Sequence, residues 1–341
     1  MRVMNLGNSI GALGAAFVAA VMMACTAEDQ EALRIGTSSI GSDYYTLAVA
    51  ASELIYEYGP INSAVQPVGG SFPNIFALDT NRIDLAIANA FAAYAGFHGL
   101  HPFSEPAEIR VVIQGQVTHR HFLVRKGSGI GSPMDFVGKT IIGERPSNPD
   151  MRMIMDRLIA TYGLPADSID IVSTTNTSEA LKALRVGSVD AALLPFTAGN
   201  ALVGQAIYDE IVEFLYIPKN RRDEMLDGLP VSIHGSKIEK ETFAKQEQDI
   251  HTFSINTLLV ARATVSEETV YKVTQALLDH NDELAAYVSS ARAWTAERSL
   301  HGFTLPFHDG AVRYFEERGL WTRTLETKQR SLLDRTSEVF R

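Results

Sequence analysis

From Ile35 to Tyr45 the chain reads Ile-Gly-Thr-Ser-Ser-Ile-Gly-Ser-Asp-Tyr-Tyr, with hydroxyls at Thr37, Ser38, Ser39 and Ser42. Leu33 to Gly36 before it has the character of a short strand. Leu47, Ala51, Leu54, Ile55 and Tyr58 after it recur at the spacing of one buried helix face. A loop of this kind brings hydroxyls and backbone N–H groups to a helix N-terminus, where unpaired donors and the positive dipole end favour an anion such as a carboxylate. An ordinary turn accounts for the same residues, with Ser42 or Asp43 serving only as helix cap. Covalent chemistry finds less support, because there is no Gly-x-Ser-x-Gly elbow and the sole cysteine, Cys25, closes an apolar leader. His119 and His121 would share one face of a strand, but no third ligand accompanies them, so a surface or hinge role outweighs a metal site. Gly127 to Gly131 has a superficial likeness to a dinucleotide loop. Ser132 to Gly138 reads better as a capped short helix with Pro133 in its first turn.

The elements around these residues alternate. Ala64 to Val68 is a second strand, entering Gly69-Gly70-Ser71 and a helix from about Phe72 to Thr80. Ile83 to Ala88 is a third, ending at Asn89 before a small-residue helix from Ala90 to Phe97. Such alternation predicts a parallel sheet flanked by helices. The order recurs with Thr140 to Gly143, Met151 to Tyr162, Ile169 to Val172, Ser178 to Arg185 and Val189 to Leu193, at offsets of 107, 104 and 106 residues. Two similar lobes are expected.

In open parallel sheets ligands bind beyond the carboxyl ends of the strands. The loops Thr37–Tyr45, Gly69–Ser71 and Asn89–Phe91 would then face Glu144–Asp150, Thr174–Ser178 and Pro195–Thr197 across a cleft. Within Glu144–Asp150, Arg145 has the planar fork of a carboxylate clamp. The plainer account of Arg145 is an ion pair with Glu144 or Asp150. Asp43 is a helix cap or a partner for a ligand ammonium. Tyr44, Tyr45, Phe91 and Phe196 supply aromatic surface or core. Val111 to Val117 and Phe122 to Lys126 read as strands interrupted by His119-Arg120-His121, a crossover between lobes, with Phe253 to Ala261 as the return. Helices from Ser266 onward close the chain against the first lobe.

Composition bounds the function. With 341 residues, 46% of them hydrophobic, the chain can bury a large core, and its formal charge of −10 argues against nucleic acid as a partner. Gly11 to Ala24 is an apolar run of signal-peptide length, too short to span a membrane. Its end at Met22-Met23-Ala24-Cys25 is similar to a bacterial lipobox, which would make Cys25 a lipidated N-terminus. Cleavage after Ala27 and an uncleaved anchor are the competing readings. A single cysteine leaves no disulfide framework.

Ile35-Gly36-Thr37 to Tyr44-Tyr45, Val68-Gly69-Gly70-Ser71, Asp135 to Thr140, Val189-Asp190-Ala191, Leu258 to Ala261 and Pro306 to Tyr314 form an ordered set. It resembles the TAXI-type extracytoplasmic solute receptors of TRAP transporters, over Leu33 to Gly319. The resemblance implies an α/β, two-lobed, type II-like periplasmic-binding-protein fold with parallel-type sheets and a crossover-strand hinge. It also implies a small carboxylate ligand, delivered to membrane TRAP permease subunits. Ligand contacts carried over are Thr37, Ser38, Ser39, Tyr44, Tyr45, Gly69, Gly70, Ser71 and Asn89. Arg145, Ser147, Asn148 and Phe196 are added from the divergent opposite side. The expected organisation is a signal peptide at 1–24, lobe I at 33–117 plus 255–341, and lobe II at 118–254. The expected function is a periplasmic receptor without catalysis, cofactor or metal, touching the membrane only through an N-terminal lipid. A receptor for another importer or for a sensory kinase is the alternative, and an enzyme on the same bilobal fold is a more distant one.

Overall fold

The computed structural model describes residues 32–334 except Ser39 and Gly41, so the leader at 1–24, the lipidation expected at Cys25 and the expected contact Ser39 lie outside the described residues. Leu33–Thr37 (β1) runs parallel to Ser63–Pro67 (β2) on one side and to Leu85–Asn89 (β3) on the other. Asp43–Tyr58 (α1) connects β1 to β2. It buries Leu47, Ala48, Ala50, Ala51, Leu54 and Ile55, the face its spacing dictates. Ser42 is the cap, its hydroxyl accepting from the Tyr45 N–H at 3.1 Å, so Asp43 is left out of the capping role. Ser71–Asp79 (α2) leads to β3. The last residue of that strand, Asn89, caps Ala90–His98 (α3) by accepting from the Ala92 N–H at 2.8 Å.

Next comes Ile109–Arg125 (β4), one uninterrupted strand of 17 residues. The break expected at His119-Arg120-His121 does not exist, and the histidines are not on the surface. His119 and His121 are 3% and 0% exposed. They fit inside the sheet because their polar atoms are satisfied. His119 Nδ1 lies 2.8 Å from Ser254 Oγ, and His121 pairs through Nε2 with the Leu215 carbonyl at 2.8 Å and through Nδ1 with Thr252 Oγ1 at 3.2 Å. Burial pushes both imidazoles down to about 4, leaving them neutral at pH 7.

A second parallel trio follows: Thr140–Glu144 (β5), Asp150–Tyr162 (α4), Asp170–Ser173 (β6), Thr177–Val186 (α5) and Ala191–Phe196 (β7), with Ala201–Tyr208 (α6) behind it. The short Gly-rich segment after β4 leads into a 3-10 turn, Pro133–Phe136, closed by a capping box between Ser132 and Asp135. The repeat holds at the level of register. Ile35 pairs with Val65 and Leu85, while Ile142, Val172 and Ala192, each 107 positions later, pair in the same way.

After Val212–Phe214 (β8), Lys219–Leu226 (α7) and Ile233–Ile238 (β9), the chain returns along Ile250–Arg262 (β10). The main sheet path is β2-β1-β3-β10-β4-β7-β5-β6, with β8 on β4 and β9 on β10. The two long strands belong to both halves. β10 pairs with β9 over Ile250–Ile255 and with β3 over Thr257–Ala261, and β4 meets β7 over His119–Val124. A register shift between Asn256 and Leu258, where β4 carries one residue more than β10, marks the changeover.

Glu267–Asp279 (α8), Asn281–Tyr287 (α9), Ala296–Leu300 (α10), Asp309–Glu317 (α11) and Arg323–Leu333 (α12) complete the chain. They pack on the first half. Gln329 clasps the Phe307 backbone through both its amide atoms, at 2.8 and 2.9 Å. Among the described residues no helix is long and apolar enough to cross a membrane.

β3 starts at Leu85 rather than at Ile83, because Asp84 is turned into a cluster at the sheet edge. Its carboxylate accepts from the Arg34 backbone and from its side chain at 2.9 Å, and also pairs with Arg262, joining β1, β3 and β10. Burial alone raises the Asp84 pKa, but hydrogen bonds from Arg34 and Arg262 outweigh it and hold the carboxyl at about 2. Its contribution to stability is present above the ordinary carboxylate pKa of about 4 and is lost as pH falls from there toward 2. Asp84→Ala is expected to lower unfolding free energy at pH 7 by about 3 kcal/mol. Denaturant melts from pH 7 to pH 2 should show the variant's deficit shrinking below pH 4, and a deficit independent of pH would contradict the assignment.

Candidate functional site

At the carboxyl ends of the parallel strands the two halves enclose a cavity of about 410 Å³. Of the expected contacts, Ser38, Tyr44, Gly69, Gly70, Ser71 and Asn89 line it from the first half, and Arg145, Ser147, Asn148 and Phe196 from the second. Thr175–Thr177, Pro195 and Thr197, from the other loops expected to converge, also reach it.

Two expected contacts do not reach it. Thr37 is 0% exposed at the end of β1, where its carbonyl accepts from the Val68 and Gly69 N–H groups, so it supports the wall from behind. Tyr45 follows Tyr44 on α1 and turns off the lining, since neighbours on a helix face different directions. Phe91 is core, 4% exposed and edge-on to Phe72 at 5.7 Å.

Helix starts dominate the wall. Ser42, Gly70, Asn89, Asn176 and Asn200 are the N-cap residues of α1, α2, α3, α5 and α6, and all line the cavity. Four of these caps are occupied by their own helix through a side-chain oxygen. The start of α2 differs: Gly70 supplies no side-chain cap, which leaves first-turn N–H groups beside the cavity for an anion. Gly69 and Gly70 reach this geometry with φ of +120° and +124°, values that a side chain resists.

Arg145 is 8% exposed, and its only side-chain polar contact among the described residues runs from Nη2 to Thr177 Oγ1 at 3.4 Å, while Nε is buried without a partner. The ion pair that offered the plainer account is absent. Glu144 pairs with Arg152 at 3.3 Å, and Asp150 pairs with Arg120 at 2.5 Å. Burial, and then the neighbouring charge of Arg120, pull the Arg145 guanidinium down to about 10, so it is still cationic at pH 7. A buried cation without a counter-ion is costly, and an anionic ligand removes that cost.

Arg120, Gln116 and Thr118 come from β4 and were missed by the sequence reading. Arg120 and Asp150 are 1% and 0% exposed. Their bond ties the crossover strand to the first residue of α4, and Asp150 Oδ1 has no partner of its own. Tyr44 OH lies 3.0 Å from Thr257 Oγ1 on β10, and burial raises its pKa, so it is a neutral phenol at the cavity floor. Asp43 is exposed at the rim, without an ion pair among the described residues. Among the described residues no group of three His, Cys, Asp or Glu side chains is placed to hold a metal ion.

Asp150→Asn leaves Arg120 buried without its counter-charge. It should lower the stability of the free protein by about 3–5 kcal/mol. An anionic ligand should then recover more stability in the variant than in the wild type, measured as the shift in melting temperature. Equal ligand shifts in both proteins would separate Arg120 from the site.

Among solved structures, PhnD1 from Prochlorococcus marinus in complex with methylphosphonate matches with a TM-score of 0.55 and 9% identity, covering 85% of this chain and 99% of that one. A Xanthomonas citri protein bound to chloride ion matches with a TM-score of 0.52 and 13% identity, covering 89% and 99%. At such identities these matches show the two-lobed α/β periplasmic-binding-protein fold. No curated protein matches the chain. The NMT1-like family matches residues 35–319. That match corrects the resemblance to TAXI-type TRAP receptors, which rested on short motifs: the family that spans both halves and the crossover is the NMT1-like one, to which this chain belongs.

Proposed function

We propose that the protein is a non-catalytic extracytoplasmic receptor that holds a small oxyanion-bearing solute between its lobes and presents it to a membrane importer. The observation that carries this reading is Arg145, a buried guanidinium facing the cavity with no carboxylate partner. The uncapped start of α2 on the opposite side, and Arg120 on the floor, add donors from two further directions. Such an arrangement suits a tetrahedral phosphonate or sulfonate head, whose three oxygens diverge, better than a planar carboxylate, whose two oxygens are met by one fork. The structural relative bound to methylphosphonate supports the same class.

The carboxylate expected from the sequence is the narrower member of the class, and the TRAP permease goes with the corrected resemblance. An importer of the ABC type, or a sensory partner, replaces it. Asp43 at the rim favours ligands that also carry a cationic group. The lining contains no His, Cys or Lys among the described residues, so a nucleophile there lacks a customary base.

The lobes divide at 33–117 plus 255–341 and at 118–254, a partition supported by the changeover of partners along β4 and β10. Residues 1–24 act as the export leader, with Cys25 as the lipid site. Closure then follows from ligand contacts to both lobes, which stabilise the closed state over the open one.

Thermal-shift screening of methylphosphonate, ethanesulfonate, glutamate and succinate tests the class. A ligand at a hundred times its Kd adds about 2.7 kcal/mol to the folded state. The phosphonate or sulfonate should give the largest shift. Arg145→Ala should weaken it at least tenfold, about 1.4 kcal/mol or more, while leaving the stability of the free protein unchanged or higher. No shift from any of the four, or wild-type affinity in the variant, would overturn the reading.

A further inference from the structure

A second cavity, of about 580 Å³, lies on the other face of the two crossover strands. Side chains alternate along a strand, and Gln116, Thr118 and Arg120 of β4 line the interlobe cavity, while Val117 and His119 line this one. Gln114 joins the rear set because the extra residue of β4 at the register shift reverses the alternation.

Both halves of the molecule contribute to this groove. Arg298, His301 and Thr304 come from the C-terminal helical segment packed on the first half, Ser232 and Lys237 from the approach to β9 and that strand in the second, and Asn256 from the changeover point itself. Most of its polar groups are engaged within the fold, among them Gln114, His119, Ser236 and Lys237, but Ser232 and the outer nitrogens of Arg298 are not. Ser232 is 3% exposed, yet its Oγ has no hydrogen-bond partner among the described residues. Arg298 gives only its Nε to the protein, donating to the Gly115 carbonyl at 2.7 Å, and has no carboxylate partner among the described residues. Lys237 is engaged with Glu239 and Asp249, each at 2.8 Å, so Arg298 is the cation with donors to spare. Among the described residues no carboxylate side chain lines the groove.

We propose that this groove is a second binding site, for a small oxyanion such as inorganic phosphate, held by the outer nitrogens of Arg298 together with Ser232 and Asn256. The two sites are on opposite faces of one hinge. Rotation that narrows the front cavity widens the rear one. An anion bridging Arg298 and Ser232 therefore resists closure, and by linkage a ligand in front weakens the rear site to the same degree.

Calorimetric titration of inorganic phosphate into the Arg145→Ala protein isolates the rear groove from the front cavity. Binding with a Kd tighter than about 10 mM is expected. Adding Arg298→Gln should weaken it at least tenfold. Asn256→Ala, at a side chain that makes no hydrogen bond among the described residues, should weaken it severalfold and keeps the test intact if the arginine variant fails to fold. Small-angle scattering of Arg145→Ala with phosphate should show no decrease in radius of gyration. Absence of binding, or binding that neither second substitution changes, overturns the site. A decrease in radius overturns the coupling. The two groove substitutions tie the binding result to the rear site whatever the front cavity holds.

Discussion

The bond between Arg120 and Asp150 is the constraint from which the candidate site follows. It joins the middle of the crossover strand to the first residue of α4, with both side chains out of water. Glu144–Asp150 is thereby anchored at its far end, and Arg145, the first residue after β5, is held inward. Because Asp150 is committed to Arg120, Arg145 has no carboxylate in salt-bridge contact among the described residues. One buried pair thus creates one buried unpaired cation, the condition under which an external anion gains most.

The two halves share register but not chemistry. Ile35 and Ile142 occupy equivalent places in their trios, and the same spacing of 107 relates Asp43 to Asp150 and Ser38 to Arg145. The carboxylate that is an exposed rim charge on one side is a buried anchor on the other, and the hydroxyl on one side is a guanidinium on the other. A repeated backbone places loops face to face, and the residues that fill equivalent positions decide what each face offers.

Much of this was legible in the sequence because it is local. Alternating apolar runs located both trios, the offsets revealed the repeat, and small polar loops after each strand pointed to the cavity wall. Ser42, Gly69-Gly70 and Asn89 announced their turns through residue type alone. What was not legible depends on distant partners. Arg120 looked like part of a break in a strand, since three polar residues in a row rarely enter a sheet. They do so here because Ser254, Thr252, Leu215 and Asp150, remote in sequence, receive them. For the same reason Arg145 looked paired with its nearest carboxylates, when those had other partners. The family, too, depended on length: short motifs resembled one group of receptors, whereas the match over residues 35–319 belongs to another.

On this proposal an anion at Arg145 draws the two lobes together. The most direct measurement is the radius of gyration in solution with and without the tightest-binding oxyanion ligand, for the wild type and for Arg145→Lys, which keeps the charge but loses the fork. The wild type should compact on ligand addition, and the variant should show a smaller fraction of compact protein at the same ligand concentration. Saturating binding with no change in radius, or identical compaction of both proteins at subsaturating ligand, would contradict it.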